Sequence, residues 1–202
     1  MKTIDDIANI LSSNVDKNKS SCLVVSGGKS PLKTYKKLSK CDIDWAKINI
    51  ILCDDRDVSR ESDLSNEKHI LTNLIINKAS TANYISLRGD PRNVLKYINQ
   101  FDIGIFGFGY DGHFASIFSD HIKKRNFISK DAIPDILFTD NIGEPFCKRI
   151  TMNLSMILEC KNILILDIPE KRHVFQEAKD NNKMPLHHLL QSSHKSISIL
   201  SP

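Results

Sequence analysis

The sequence predicts an α/β fold, an open and mainly parallel sheet with helices on both faces. Three observations carry that expectation. Short apolar runs recur at Ser21–Val25, Ile48–Cys53, Phe101–Phe106 and Ile163–Asp167. They have strand length and no polar alternation, as strands buried on both faces do. Segments of helical spacing lie between them, the pattern of a sheet layered with helices. The best organised stretch, Phe101–Phe118 (FDIGIFGFGYDGHFASIF), passes from an apolar strand into a glycine-rich turn. In open α/β sheets that carboxyl edge is where ligands bind.

The elements follow in order. Ile4, Ile7, Ala8 and Leu11 have helical spacing after Thr3, a capping residue. Strand Ser21–Val25 ends at Ser26-Gly27-Gly28-Lys29-Ser30-Pro31, a turn into a helix with Leu32, Tyr35 and Leu38 on one face. Pro31 suits the first helical position, where its missing N–H costs nothing. Strand Ile48–Cys53 runs into Asp54-Asp55-Arg56-Asp57, a charged loop reaching Ser65. Asn66–Ile76 reads as a helix capped by Ser65 or Asn66, and Tyr84–Leu87 as a weak strand. Pro91 opens a helix carrying Val94, Leu95 and Ile98.

After the central strand come Gly107, Gly109 and Gly112, and then Phe114, Ala115, Ile117 and Phe118, which suit a short helix. Residues 119–147 are polar and broken by Pro134, Gly143 and Pro145, either short helices or a lid. Arg149–Met152 and Ile163–Asp167 read as strands, Pro169 as a helix start, Leu186–Leu190 as helical and Ser196–Leu200 as a last strand. No repeat, low-complexity tract or linker interrupts residues 1–202, so one domain is expected.

Composition excludes several classes. The net charge of +4 is mild and the basic residues are scattered, so nothing argues for nucleic acid and none is expected as a partner. No apolar run approaches the roughly 18–20 residues of a membrane span. The N-terminal MKTIDDIANI has acids where a signal peptide is apolar. The cysteines at 22, 41, 53, 147 and 160 form no C-x-x-C pair. They read as reduced thiols of a cytoplasmic protein, a monomer or small homo-oligomer.

Two glycine motifs mislead. Gly107 to Gly112 matches G-x-G-x-x-G literally, but no strand with an acidic tip follows about 20 residues on. Gly28-Lys29-Ser30 resembles the end of a nucleotide phosphate loop, but the first glycine's position holds Leu23. A Ser-Gly-Gly turn at a helix start still offers N–H groups to one phosphate, and Lys29 adds charge. A plain connecting turn is the equal alternative. On the second turn, a helix beginning near His113 would disfavour the imidazolium through its dipole, and Asp111 would be its N-cap.

Taken in order, these segments resemble the superfamily that contains the 6-phosphogluconolactonases and the glucosamine-6-phosphate deaminases. The matching pieces are Ser26-Gly27-Gly28-x-Ser30-Pro31, Asp54-Asp55-Arg56 with Ser65-Asn66, Gly107-Phe108-Gly109-Tyr110-Asp111-Gly112-His113-x-Ala115-Ser116-Ile117-Phe118, Arg149-Ile150-Thr151, and Lys171. Lys29, Asp55, Asp57, Phe114 and Ser119 depart from the usual residues. Arg56 and the A-S-I-F run favour the lactonase branch.

The resemblance implies a Rossmann-like sheet of the deaminase/lactonase type and hydrolysis of a phosphorylated sugar lactone. It implies His113 as the base that activates water, Asp111 orienting it, Asp54 facing the sugar and Arg56 supporting the oxyanion. Ser26, Gly27, Gly28, Lys29, Ser30, Arg149 and Lys171 would hold the phosphate. No cofactor is expected. No metal is expected either, since a lactone carbonyl is already electrophilic. His187, His188 and His194 lack ligand spacing and read as surface residues. A sugar-phosphate deaminase or isomerase remains an alternative reading, as does a non-catalytic sugar-phosphate-binding module prompted by Lys29 and Phe114.

Overall fold

In a computed structural model, which describes residues 1–192 and 196–201, the apolar runs form one sheet. Helix α1 (Ile4–Asn18) begins with a capping box between Thr3 and Asp6 and buries Ile7, Leu11 and Val15. The wholly buried β1 (Ser21–Val25) leads through the Ser26–Pro31 turn to α2 (Leu32–Leu38). Then come β2 (Ile48–Leu52), β3 (Asp54–Arg56), α3 (Asn66–Asn73), β4 (Asn83–Ile85) and β5 (Phe101–Phe106). The second half holds α4 (Arg125–Ile128), β6 (Ile136–Ile142), β7 (Cys147–Met152), α5 (Leu154–Ile157), β8 (Asn162–Leu166), α6 (Arg172–Ala178), α7 (Pro185–Leu190) and β9 (Ile197–Leu200).

Six strands form the main sheet in the order β4-β2-β1-β5-β8-β9, every pair parallel. The chain builds outward from β1 through β2 to β4, then returns to β5 and builds the other way. The order therefore reverses between β1 and β5. A crevice opens outside the carboxyl ends of two such strands, and ligands bind there. The Ser26 turn and the Gly107 turn leave these strands side by side, and Gly107 N–H donates to Ser26 Oγ at 3.1 Å.

A second, three-stranded antiparallel sheet, β3-β7-β6, stands beyond this edge. It corrects one expectation and extends another. Asp54-Asp55-Arg56 is strand rather than loop, paired with Arg149–Thr151. Three charged residues carry no apolar alternation, so nothing local marks them as extended. Residues 119–147 hold the expected short helices, a 3₁₀ turn at Ser119–His121 and α4, but also most of an unexpected hairpin from β6 to β7.

The helix expected after Gly112 does not form. Residues 113–118 are irregular, with isolated bridges from Phe114 to Phe108 and Ile117. Ala115 has a left-handed φ of 48°. Ser116 N–H bonds Thr151 Oγ1 at 3.1 Å, so the segment is tied to the second sheet instead of coiling. Phe114, Ile117 and Phe118 are nonetheless buried. Smaller shifts follow local causes. Pro31 is the N-cap of α2 rather than its first residue. Helix α3 stops at Asn73, whose amide bonds His69 O. The Pro91–Gln100 segment is a 3₁₀ helix.

The five cysteines are free thiols, with Cys22, Cys53 and Cys160 buried. Among the described residues no helix is long and apolar enough to cross a membrane. His187 and His188 are half-buried rather than surface residues, each ring bonding a backbone carbonyl at 3.0 Å. His194 lies outside the described residues.

Candidate active site

A cleft of about 250 Å³ opens at the strand-order reversal. It is lined by Ser26, Gly28, Lys29, Ser30, Asp54, Arg56, His113, Arg149 and Lys171, which are all but two of the residues expected there. Gly27 and Asp111 stand just behind it, each touching a lining residue.

His113 and Asp111 are held by a tight turn in which Gly109 N–H donates to His113 O at 2.8 Å. His113 Nδ1 lies 2.5 Å from Asp111 Oδ1, and its backbone N–H donates to the same oxygen at 3.2 Å. A carboxylate oxygen accepts, so Nδ1 carries the proton and Nε2 is left as the basic nitrogen. Burial pushes the Asp111 carboxyl up, but the hydrogen bonds and charge of His113 outweigh it, and the net shift is downward. Asp111 therefore orients the imidazole. It caps no helix, and the dipole at His113 is absent because the helix is absent. Behind the ring, Phe118 stacks at 4.5 Å between centroids. Only a glycine fits at 109, since a Cβ there would sit 2.2 Å from the His113 ring.

Alternation along β3 splits the acid pair. Asp54, 4% exposed, accepts from Ser116 Oγ at 2.7 Å and from Cys53 Sγ at 3.2 Å, and lines the cleft. Asp55 points the other way and accepts from the N–H groups of Asn66 and Glu67, fixing the start of α3. Burial raises its pKa against those bonds.

Arg56 and Arg149 are cross-strand partners. Side chains at such positions share a face, and like charges there repel. Arg149 is 2% exposed and donates to Ile142 O at 3.1 Å and Pro145 O at 2.8 Å. Its guanidinium lies 5.1 Å over the Phe118 ring. Burial first, and then the charge of Arg56, lower its pKa. Arg56 donates to Leu64 O at 2.8 Å, while its Nε is buried without a partner. Among the described residues neither arginine pairs with a carboxylate. Two guanidiniums so placed leave positive charge uncompensated within the chain.

Lys171 Nζ donates to Phe108 O at 2.7 Å and lies 5.0 Å over the Tyr110 ring, and burial lowers its pKa. In the Ser26–Ser30 turn, Ser26 N–H donates to Ile105 O, and His69 Nδ1 lies 2.7 Å from Gly27 O. Gly28 and Ser30 make no hydrogen bond among the described residues. A Cβ at Gly27 would fall 2.3 Å from Asn66 Cβ, so α3 and this turn meet only through glycine.

Sequence reasoning passed over four contributors. Ser116 and Phe118 lay in the run read as a helix face, where a hydroxyl or ring has no assigned direction. Glu144, at the hairpin tip, lines the cleft from a segment with no motif. His69 supports the turn from mid-helix, where a histidine carries no signal.

Known proteins resemble this chain over nearly its whole length. The family model described as glucosamine-6-phosphate isomerases/6-phosphogluconolactonase matches residues 1–198. A protein of Neisseria meningitidis named 6-phosphogluconolactonase is 29% identical, covering 96% of this chain and 89% of that one. One of the same name from Thermotoga maritima is 30% identical, covering 71% and 67%. Among solved structures, a 6-phosphogluconolactonase from Shewanella baltica superposes with a TM-score of 0.84 at 28% identity, covering 98% of this chain and 90% of that one. A monomeric glucosamine-6-phosphate deaminase shares the fold, with a TM-score of 0.68 at 17% identity.

Proposed function

The chain belongs to the glucosamine-6-phosphate isomerase/6-phosphogluconolactonase family, and from that premise we propose that it hydrolyses 6-phospho-D-glucono-1,5-lactone to 6-phospho-D-gluconate. The reaction belongs to the oxidative pentose phosphate pathway, and we place it in the cytoplasm. The observation that carries the reading is an imidazole with Nδ1 tied to Asp111, in a cleft that also holds cations without a carboxylate partner.

His113 Nε2 takes a proton from water, and the hydroxide adds to the lactone carbonyl carbon. The oxyanion forms beside Arg56, whose fixed charge favours it. The intermediate collapses, the ring C–O bond breaks, and Nε2 returns the proton to the departing ring oxygen. The new carboxyl group then ionises. Arg149, Lys171 and the turn Ser26-Gly27-Gly28-Lys29-Ser30 hold the 6-phosphate, the arginine as a fork and the lysine as a point charge. Asp54, fixed by Ser116 and Cys53, accepts from sugar hydroxyls.

The test is the initial rate of acid release from freshly made lactone, with spontaneous opening subtracted. A rate well above background is expected, and no ammonia from glucosamine 6-phosphate. Ammonia release without lactone hydrolysis would overturn the proposal.

A further inference from the structure

The candidate cleft contains one charge that the proposed chemistry does not use. Glu144 lines it together with Lys29, Arg56, Arg149 and Lys171. Among the described residues the Glu144 carboxylate makes no hydrogen bond or ion pair. The other carboxylate of the lining, Asp54, is buried and already accepts from Ser116 and Cys53. Glu144 is exposed, at the tip of the hairpin that closes with the pair Ile142 and Cys147.

Two groups of the site fix that tip. Arg149 donates to Ile142 O and to Pro145 O, one on each side of Glu144. Gly143 has a left-handed φ of 74°, and a Cβ there would overlap the Phe118 ring. Phe118 is the ring stacked on His113. The backbone carrying Glu144 is therefore anchored to the wall behind the imidazole. A free carboxylate at this place works against the cations around it and weakens the hold on any anion. Its use lies in which anion it disfavours most.

We propose that Glu144 is a specificity-determining residue, which admits a sugar phosphate uncharged at its reacting carbon and disfavours one carrying a carboxylate there. The inference rests on the lactonase reading, in which a neutral ester beside His113 becomes a carboxylate while the phosphate is unchanged. Substrate and product then differ by one negative charge at one end. Arg56, at that end, attracts the product more than the substrate. Glu144, on the His113 side, opposes that attraction by like-charge repulsion, which separates two ligands of similar shape. Product that leaves readily frees the cleft for the next lactone.

Two ligands isolate the effect. 6-Phosphogluconate carries a carboxylate at that carbon, and glucitol 6-phosphate carries CH2OH instead. Each is titrated calorimetrically into wild type, Glu144→Gln and Glu144→Asp. The glutamine keeps the shape and removes the charge. It is expected to tighten 6-phosphogluconate at least fivefold and to change glucitol 6-phosphate less than twofold. The aspartate is expected to keep the wild-type ratio of the two affinities. The difference between wild type and the glutamine variant is expected to shrink in about 0.5 M salt, where exposed charges are screened. A ratio unmoved by the glutamine overturns the proposal. Equal weakening of both ligands also overturns it, since Glu144 would then be an acceptor for a hydroxyl common to both. The wild-type rate on fresh lactone decides the lactonase reading separately. Hydrolysis with an unmoved ratio spares that reading and sinks this one. A shifted ratio without hydrolysis does the reverse, and binding of neither ligand contradicts both.

Discussion

At the scale of single residues the proposed chemistry turns on which nitrogen of His113 is free. Asp111 settles this by taking Nδ1–H at 2.5 Å. Asp111→Asn keeps the shape but removes the charge and lets an amide N–H face Nδ1. We expect the rate constant to fall about a hundredfold with little change in KM, in line with the roughly 10²–10⁴-fold worth of a positioned acid–base group. Steady-state kinetics on fresh lactone checks it. Lys171 supplies the pH dependence. Burial lowers its pKa, so its charge is lost at a lower pH than that of a free lysine. Affinity for 6-phosphogluconate is expected to drop on the alkaline side before the ordinary lysine range of about 10.4 is reached. Lys171→Arg, always charged, is expected to abolish that drop in a binding titration. That His113, Lys29, Arg56, Arg149 and Lys171 share one cleft was legible only through the resemblance of their motifs taken in order, since each residue alone has an ordinary surface or capping role. Of the two roles open to Asp111, the helix cap falls away because residues 113–118 form no helix, while its hydrogen bond to His113 fits the other.

At the scale of elements, the strands of the main sheet were legible and the second sheet was not. Runs such as Leu23–Val25 announce a buried strand by composition alone. Asp54-Asp55-Arg56 becomes a strand only through its partner Arg149–Thr151, far along the chain. The same non-local tie, Ser116 to Thr151 and Asp54, draws residues 113–118 away from the helix their apolar spacing suggests. Two substitutions test what these elements need. Gly109→Ala puts a methyl into the His113 ring, and we expect at least a tenfold loss of rate with the fold retained by circular dichroism. Within β5, Asp102 is 2% exposed and accepts from Ser21 Oγ at 2.7 Å, Cys22 N–H at 3.0 Å and Lys161 Nζ at 2.8 Å. Asp102→Ala strands those donors at the start of β1. A loss of about 2–4 kcal/mol in denaturant unfolding is expected, with the rate of the surviving folded enzyme unchanged.

At the scale of the whole molecule, the strand order brings distant parts of the chain to one place. Turns following β1 and β5 supply the Ser26–Ser30 loop and the imidazole, and the second sheet adds the arginines. Because the site is assembled from so much of the fold, ligand binding is expected to stabilise the fold. Near a hundredfold excess over Kd, 6-phosphogluconate is expected to add about 2.7 kcal/mol, a rise in Tm of roughly 5–10 °C for a chain of this size. Arg149→Met is expected to remove most of that rise, and His113→Ala to preserve it. The most direct measurement is the rate of 6-phosphogluconate formation from fresh lactone by wild type and His113→Ala, with spontaneous opening subtracted. A catalysed excess that falls at least about a hundredfold, while the ligand-induced rise in Tm persists, is the predicted result. An excess untouched by the loss of the imidazole would contradict the account.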